Sequence, residues 1–339
     1  MKKSSIYSLS IAVVCIVIGL LIFSAVAASV KFDFRKLNTY NYSQKVTPVD
    51  EAFDRIVIDA VECDVNLVTA ESASVTSMDS EDIITEVYVK DRTLHIKRQD
   101  KRPWYKCITL SFSFEGCSIT VALPKNVYDS LDVTTLSGNI SLVNPFEFHT
   151  AKLKTTSGDI NSRLSAKDQL EVKTTSGEIY LMDVHTNAFE LQSVSGDIKS
   201  YDCIVDGHVK VQTTSGDVLF RNAEIKQNLQ MKTTSGDIEL TAVETENVTM
   251  STTSGGLELN DVCAAAAADI SSVSGDIEFA QFDAKTVNIT TTSGDVTGSF
   301  LTGKIFSTSS LSGDIRVPNT DVNGGLCTIK TTSGDIHIH

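Results

Sequence analysis

From residue 131 to the C-terminus, apolar and polar positions alternate in short runs on either side of a recurring Ser-Gly pair. With the glycine counted as zero, positions −7 and −5 are apolar in nearly every copy: Leu131 and Val133, Leu170 and Val172, Phe189 and Leu191, Val209 and Val211, Val287 and Ile289. Position +2 is always Ile, Val or Leu, from Ile140 to Ile336. Position +4 is usually apolar, as in Leu142, Leu181, Phe220, Leu240 and Phe279. Between them, −6 and −4 are polar, as in Lys152 and Lys154 or Glu171 and Lys173. Alternation with period two describes a strand with one face buried and one exposed. Each unit reads as strand, turn, strand and a more variable return arm. That arm often carries one apolar residue, such as Phe146, Leu164, Val184, Val243 or Phe282.

The Ser-Gly pair occurs eleven times, with glycine at 138, 158, 177, 196, 216, 236, 255, 275, 294, 313 and 334. Its full form is Thr-Thr-Ser-Gly-Asp-Ile, first intact at Thr155-Thr156-Ser157-Gly158-Asp159-Ile160. A fixed period of this size marks a stacked repeat. One unit cannot bury its apolar face alone, whereas parallel stacking buries a continuous core and pairs backbone groups between neighbouring coils. The predicted fold is all-β: a single-stranded parallel β-solenoid, or β-helix, of 19–21-residue coils. Ten steps of about 4.8 Å give a rod of about 48 Å. Glycine at zero suggests a backbone position with φ > 0. Ser and Asp beside it suit local turn hydrogen bonds. The inward Thr at −3 is expected to bond its own copies in adjacent coils.

The chain before residue 131 divides further. Residues 1–5 form a short N-terminus carrying Lys2 and Lys3, and residues 6–30 contain no charge. That run is long enough to cross a bilayer as a transmembrane signal anchor, with the lysines holding the N-terminus in the cytoplasm. The competing reading is a signal peptide cleaved after Ala25-Val26-Ala27. Cys15 follows Val14, a poor context for lipid attachment. Residues 31–50 read as a polar spacer and residues 51–130 as a β-rich N-terminal cap for the solenoid of residues 131–339. Within the cap, aligning Cys63 with the repeat glycine places Asp64 at the Asp position and Val65 at the Ile position, a degenerate repeat. Alternation around Lys90-Asp91-Arg92 suggests a hairpin, and residues 108–123 suggest two strands broken at Glu115-Gly116. Solenoids need such a cap against edge-to-edge pairing. No cap follows Ile336-His337-Ile338-His339, so this C-terminal edge is a candidate for self-association.

The formal charge of −14 argues against nucleic acid as a partner, because that requires clustered Lys and Arg. Of seven cysteines, Cys203, Cys263 and Cys327 read as small core residues, and Cys107 and Cys117 as a pair open to a disulfide. Metal-type Cys-x-x-Cys spacing is absent.

The sharpest chemical feature is the acid after the repeat glycine: Asp159, Asp197, Asp217, Asp237, Asp276, Asp295, Asp314 and Asp335, with Glu178 as a ninth. Asn139 and Gly256 depart from it. Turn chemistry accounts for the series. The alternative is a calcium ladder, although one carboxylate per coil supplies few of the roughly 6–8 oxygens calcium takes. The six histidines sit in no Ser/His/Asp arrangement, and Gly-x-Ser-x-Gly is absent. His337 and His339 share a face and could touch a metal, but read as solvated. No catalytic, cofactor or metal site is assigned and no cofactor is expected.

The sequence resembles the bacterial putative-adhesin domain family of unknown function, which includes LiaG-like and YvlB-like membrane-anchored β-solenoid proteins. The repeats of 131–339 carry the resemblance, with Phe53-Asp54-Arg55-Ile56 and Val121-Ala122-Leu123-Pro124. The resemblance implies a single-pass membrane protein of the cell surface, common in Gram-positive bacteria and sometimes associated with envelope stress. It carries over no catalytic or binding residue. The expected function is a non-enzymatic, membrane-anchored extracytoplasmic scaffold or adhesin-like binding rod. Its expected partners are the membrane, through the N-terminal helix, and an envelope protein or cell-wall glycan. The alternative is a carbohydrate-active β-helix enzyme, a lyase or hydrolase. A pocket lined by non-repeating acids and bases would favour the enzyme, and uniform faces the rod.

Overall fold

A computed structural model describes residues 16–21, 23, 24, 28, 29, 42–101 and 117–339. The expected membrane span, 6–30, lies largely outside the described residues, and those described within it are helical and exposed. Among the described residues no helix is long and apolar enough to cross a membrane. Cys107 and residues 102–116 also fall outside the description.

The rest is a parallel β-solenoid. Equivalent residues pair coil to coil, as in Ile198 with Val218, Ile238, Leu257 and Ile277. The inward columns predicted from parity are the core. Residues at +2 in ten coils, from Ile140 through Val296 and at Ile336, are at most 1% exposed. The return arm is itself strand in the middle of the rod, where runs such as Val218–Lys232 and Ile277–Thr290 are continuous. The chain turns there at a residue six past the glycine: Asp183, Asp202, Asn222, Ala242, Asp261 and Gln281 all have φ between 52° and 56°. Asp and Asn tolerate this left-handed conformation better than most residues.

The glycines at zero do not have positive φ, contrary to the expectation from sequence. Their reason is close approach between coils. A Cβ at Gly177 would lie 1.7 Å from the carbonyl oxygen of Gly158, and one at Gly236 would lie 2.0 Å from that of Gly216. The Thr column also differs from expectation. Thr155 Oγ1 accepts the Gly158 N–H at 3.1 Å and donates to the Gly138 carbonyl at 3.1 Å. It thus binds glycine backbone on two levels rather than its own copies, and Thr174, Thr252 and Thr331 repeat the arrangement. Satisfying both groups avoids about 1–3 kcal/mol for each buried polar atom otherwise left unpaired.

All eleven Ser-Gly turns stand in single file, but not in sequence order. Gly334 lies on Gly294, and Gly313 lies on Gly334. The last strand, Ile336–Ile338, is therefore sandwiched between Val296–Phe300 and Ile315–Arg316. This corrects the expected bare edge at Ile336-His337-Ile338-His339. The outermost strands at that end are Lys304–Ser310 and Ile315–Arg316, each paired on one side only among the described residues.

The other end mirrors this arrangement. Gly138 lies on Cys63, with Val65 paired to Ile140 and Asp64 Oδ1 accepting the Asn139 N–H at 2.8 Å. Outside the Cys63 coil lies the Cys117 coil, with strands Thr93–Asp100 and Ser118–Leu123. Here the expected partner of Cys117 is corrected. It bonds Cys63, 54 residues away, with Cα atoms 4.7 Å apart. Both cysteines occupy the turn position, so sulfur links two coils where glycines touch elsewhere. Antiparallel strands finish this end: Ile83–Lys90 covers Thr93–Asp100 through a hairpin at Asp91 and Arg92. Ser74–Asp79 covers Ser118–Leu123, with Ser43–Pro48 beyond it. A buried Arg98 ties the cap together, donating to Thr85 Oγ1 at 3.3 Å and Met78 O at 3.0 Å, 3.8 Å from Asp79.

Candidate functional site along the rod

The outward residues of successive coils form columns, and three of the described grooves lie between columns. The first follows the left-handed corner. It has a cavity volume of about 600 Å³ and is lined by Asp183, Asp202, Glu224, Glu244, Asp261 and Cys263, with apolar Ile204 between them. Its acids are partly paired: Asp183 with Arg163, and Asp202 Oδ1 with Asn222 Nδ2 at 2.9 Å. The second groove, about 430 Å³, continues it past the shared Glu244 and Cys263 to Asp283 and Lys304. The Lys304 side chain is only 1% exposed. Its ammonium pairs with Asp283, donates to Ala284 O at 2.8 Å and Thr302 Oγ1 at 3.0 Å, and sits 5.4 Å from the centre of the Phe300 ring.

Cys263 is not the core residue expected from sequence. It lies half-buried in the outward column with Glu244 and Asp283. Desolvation, then the charges of Asp283, Asp261 and Glu244, raise its thiol pKa. Cys203 and Cys327 do face the core, and burial pushes their thiols up to about 11 and about 12. None of the three is an activated nucleophile, which needs a depressed pKa.

The third groove, about 620 Å³, runs beside the Asp ladder and takes in Asp197, Asp217, Asp237, Asp276, Glu239 and Glu258. The ladder carboxylates have a defined task. Asp217 Oδ1 accepts the Asp237 N–H at 2.9 Å, and Asp276 Oδ1 accepts that of Asp295 at 2.8 Å. Asp159, Asp197, Asp237, Asp295 and Asp335 do the same for their neighbours. Each of these seven Asp residues caps a neighbouring coil's backbone, so one oxygen of each is already engaged, whereas Glu178 accepts from Lys199 Nζ at 2.7 Å instead. Gly256 breaks the series and offers the Asp276 N–H no carboxylate. Asp314, in the outermost coil, has no further coil to cap. His337 lies in register between Thr297 and Arg316. Among the described residues no group of three or more His, Cys, Asp and Glu is placed to hold a metal ion.

A second outward face is balanced instead of acidic. Glu171 lies 2.7 Å from Lys173 and 3.1 Å from Lys152. Burial opposes its ionisation, but the two ammonium groups prevail and hold its carboxyl below the usual value. Charge is therefore distributed by face: the first corner groove and the ladder groove are acidic, while the second corner groove, with Glu244 and Asp283 against Lys285 and Lys304, and this strand face carry cations as well.

These columns, the stacked glycines and the left-handed corners describe one coil geometry copied along the rod. A family profile for the Toastrack domain, DUF4097, matches residues 53–260 and 240–339. The chain belongs to this family. The resemblance to putative adhesins stated from the repeats is thereby shown, and the Toastrack match includes the Cys63 coil as well as the regular ones. A putative adhesin from Parabacteroides distasonis is similar in structure, with 11% identity, a TM-score of 0.43, and coverage of 89% of this chain and 98% of that one. A putative lipid binding protein from the same organism gives 13%, 0.43, 89% and 98%. A putative adhesin from Parabacteroides merdae gives 12%, 0.39, 89% and 98%. Comparison with curated proteins finds no match.

Proposed function

We propose that this Toastrack chain is a non-enzymatic binding rod, held at the outer face of a cell membrane by residues 6–30 and presenting its acidic grooves to an envelope partner. The observation that supports this reading is the periodicity of the grooves. In the first and third grooves the acids come from the same few positions of successive coils; the second departs locally, but its Lys304 ammonium is already held by Asp283, Ala284 O and Thr302 Oγ1, and its Cys263 thiol pKa is raised. A lyase or hydrolase needs a local departure that gathers an acid, a base and a nucleophile, because proton transfer demands groups of different role within hydrogen-bond reach of one bond. A column of carboxylates suits a linear partner with cationic or hydroxyl groups at intervals, such as an envelope protein segment or a cell-wall glycan. The acidic grooves disfavour an anionic polymer.

The test incubates full-length protein, in detergent, with purified cell-wall glycan and with an envelope protein extract. Bound partner and released reducing ends are both measured. Retention that weakens at least threefold in Glu224→Gln/Glu244→Gln, without release of reducing ends, is the expected result. Release of reducing ends that scales with enzyme concentration would establish the carbohydrate-active alternative instead.

A further inference from the structure

The two ends of the rod differ in how they finish. At the N-terminal end the outermost parallel strands are covered by antiparallel ones, and Lys45 and Pro48 lie on the final strand. Charged residues and proline on an edge discourage further pairing. At the C-terminal end no further strand among the described residues pairs with Lys304–Ser310 or Ile315–Arg316; only the start of the first is covered, where the Asp321 N–H donates to Lys304 O at 3.0 Å. The core is open there. Ile315, at the inward +2 position, is 42% exposed, whereas its ten equivalents are at most 1% exposed. Around it Leu311 and Val322 are more than 80% exposed, and Leu301 and Leu326 about half.

We infer that this end face is an interface between two copies of the chain, joined tail to tail about a two-fold axis. Three observations select a second copy. The outermost coil and its flanking loops, 301–327, contain two cations, Lys304 and Arg316, and two anions, Asp314 and Asp321. With Lys304 buried against Asp283, the exposed ions are Arg316, Asp314 and Asp321, so the face carries little net charge in a chain of net charge −14 and like-charge repulsion between copies is weak. The face is also self-complementary. Arg316 makes no ion pair among the described residues, and Asp314 is the one ladder acid with no coil beyond it, two residues away on the same edge. A two-fold axis brings the guanidinium of one copy to the carboxylate of the other, and the reverse. Lastly, the described stretches 42–101 and 117–339 break off beside Ser43–Pro48, Thr93–Asp100 and Cys117, all at the opposite end.

The symmetry follows from the caps. A head-to-tail contact would need the covered N-terminal end and would continue without limit, whereas an isologous contact closes at two. The apolar rim of Leu311, Ile315 and Val322 is removed from water.

The test is sedimentation equilibrium of the full chain in density-matched detergent. The unmodified chain is expected to be a reversible dimer. Arg316→Asp should weaken the dimer at least tenfold, and Arg316→Asp/Asp314→Arg should restore it, because exchanging the charges recreates the pair. Leu311→Lys/Val322→Lys should also weaken it. Val194→Lys and Val273→Lys, exposed on the rod's flank, should leave it unchanged. All these positions are exposed, and an unaltered circular dichroism spectrum and melting temperature verify folding. A monomer at every concentration, a dimer insensitive to the end substitutions, failure of the charge exchange to restore it, or open-ended growth would each overturn the inference.

Discussion

Gly255 and Gly256 are neighbours with opposite requirements. A Cβ on Gly255 would meet the Gly236 carbonyl oxygen at 1.9 Å, while one on Gly256 would find nothing nearer than 3.6 Å. Gly255→Ala forces two coils apart and should cost about 3 kcal/mol or more. Gly256→Asn should instead stabilise the rod by about 1 kcal/mol, because its carboxamide can accept the Asp276 N–H as Asn139 accepts that of Asp159. Urea titration of the two variants checks both signs. The cysteines allow a second comparison. Cys263 has a raised thiol pKa from desolvation and the acids around it. The thiolate is the reactive form, so alkylation near neutral pH should be slower than for a free cysteine peptide. It should accelerate only as pH rises past the ordinary thiol range. Cys203 and Cys327, pushed up to about 11 and about 12 by burial, should label only on unfolding. Peptide-resolved mass spectrometry after timed alkylation separates the three.

Coils depend on what closes their third side. In the middle of the rod that side is small and aliphatic, with Ala223, Val243 and Val262 stacked in register. Toward the C-terminal end it becomes a cluster of Phe279, Phe282, Phe300 and Phe306, with consecutive ring centres 4.8–6.1 Å apart. Lys304 lies against that cluster with its ammonium turned to Asp283. Lys304→Ala removes both the stem that packs and the charge that answers Asp283. With Asp283 still 23% exposed, the cost should be about 2–3 kcal/mol, below that of breaking a fully buried pair. Lys304→Met keeps the stem and should lose less. Hydrogen exchange of the strand Gly325–Thr331 reports the difference, since it pairs with both neighbours of that site.

The whole molecule is a rod whose terminal coils are stacked out of sequence order. The first coil in sequence lies inside the second, and the last lies inside the one before it. The C-terminal strand Ile336–Ile338 is therefore held on both sides, whereas at the other end Ser43–Pro48 is the outermost strand. The Cys63–Cys117 disulfide secures the N-terminal pair of coils, closing a loop of 54 residues. In the chain-entropy account, a loop of this length makes the bond worth about 4 kcal/mol. Reduction, or Cys63→Ser/Cys117→Ser, should lower the melting temperature of the full chain. Loss should start in the strands Thr93–Asp100 and Ser118–Leu123, as seen by hydrogen exchange. No change in either would show that the interleaved strands hold the end by themselves.

What could be read from residues alone was the content of one coil. The period, the inward parity of Ile160 or Val211, and the alignment of Cys63 with glycine all depend on neighbours a few positions apart, where strand geometry leaves little choice. The candidate surface was legible to the same extent, as an acid repeated after each turn. Relations between coils were not legible, because every coil carries nearly the same pattern and so matches several neighbours equally. That the Gly334 coil docks on Gly294 rather than Gly313, and that Cys117 meets Cys63, depend on contacts tens of residues apart. The glycine itself was misread for the same reason. Its own backbone conformation is ordinary, and what excludes a side chain is the carbonyl of another coil, which only the assembled stack brings within 2 Å.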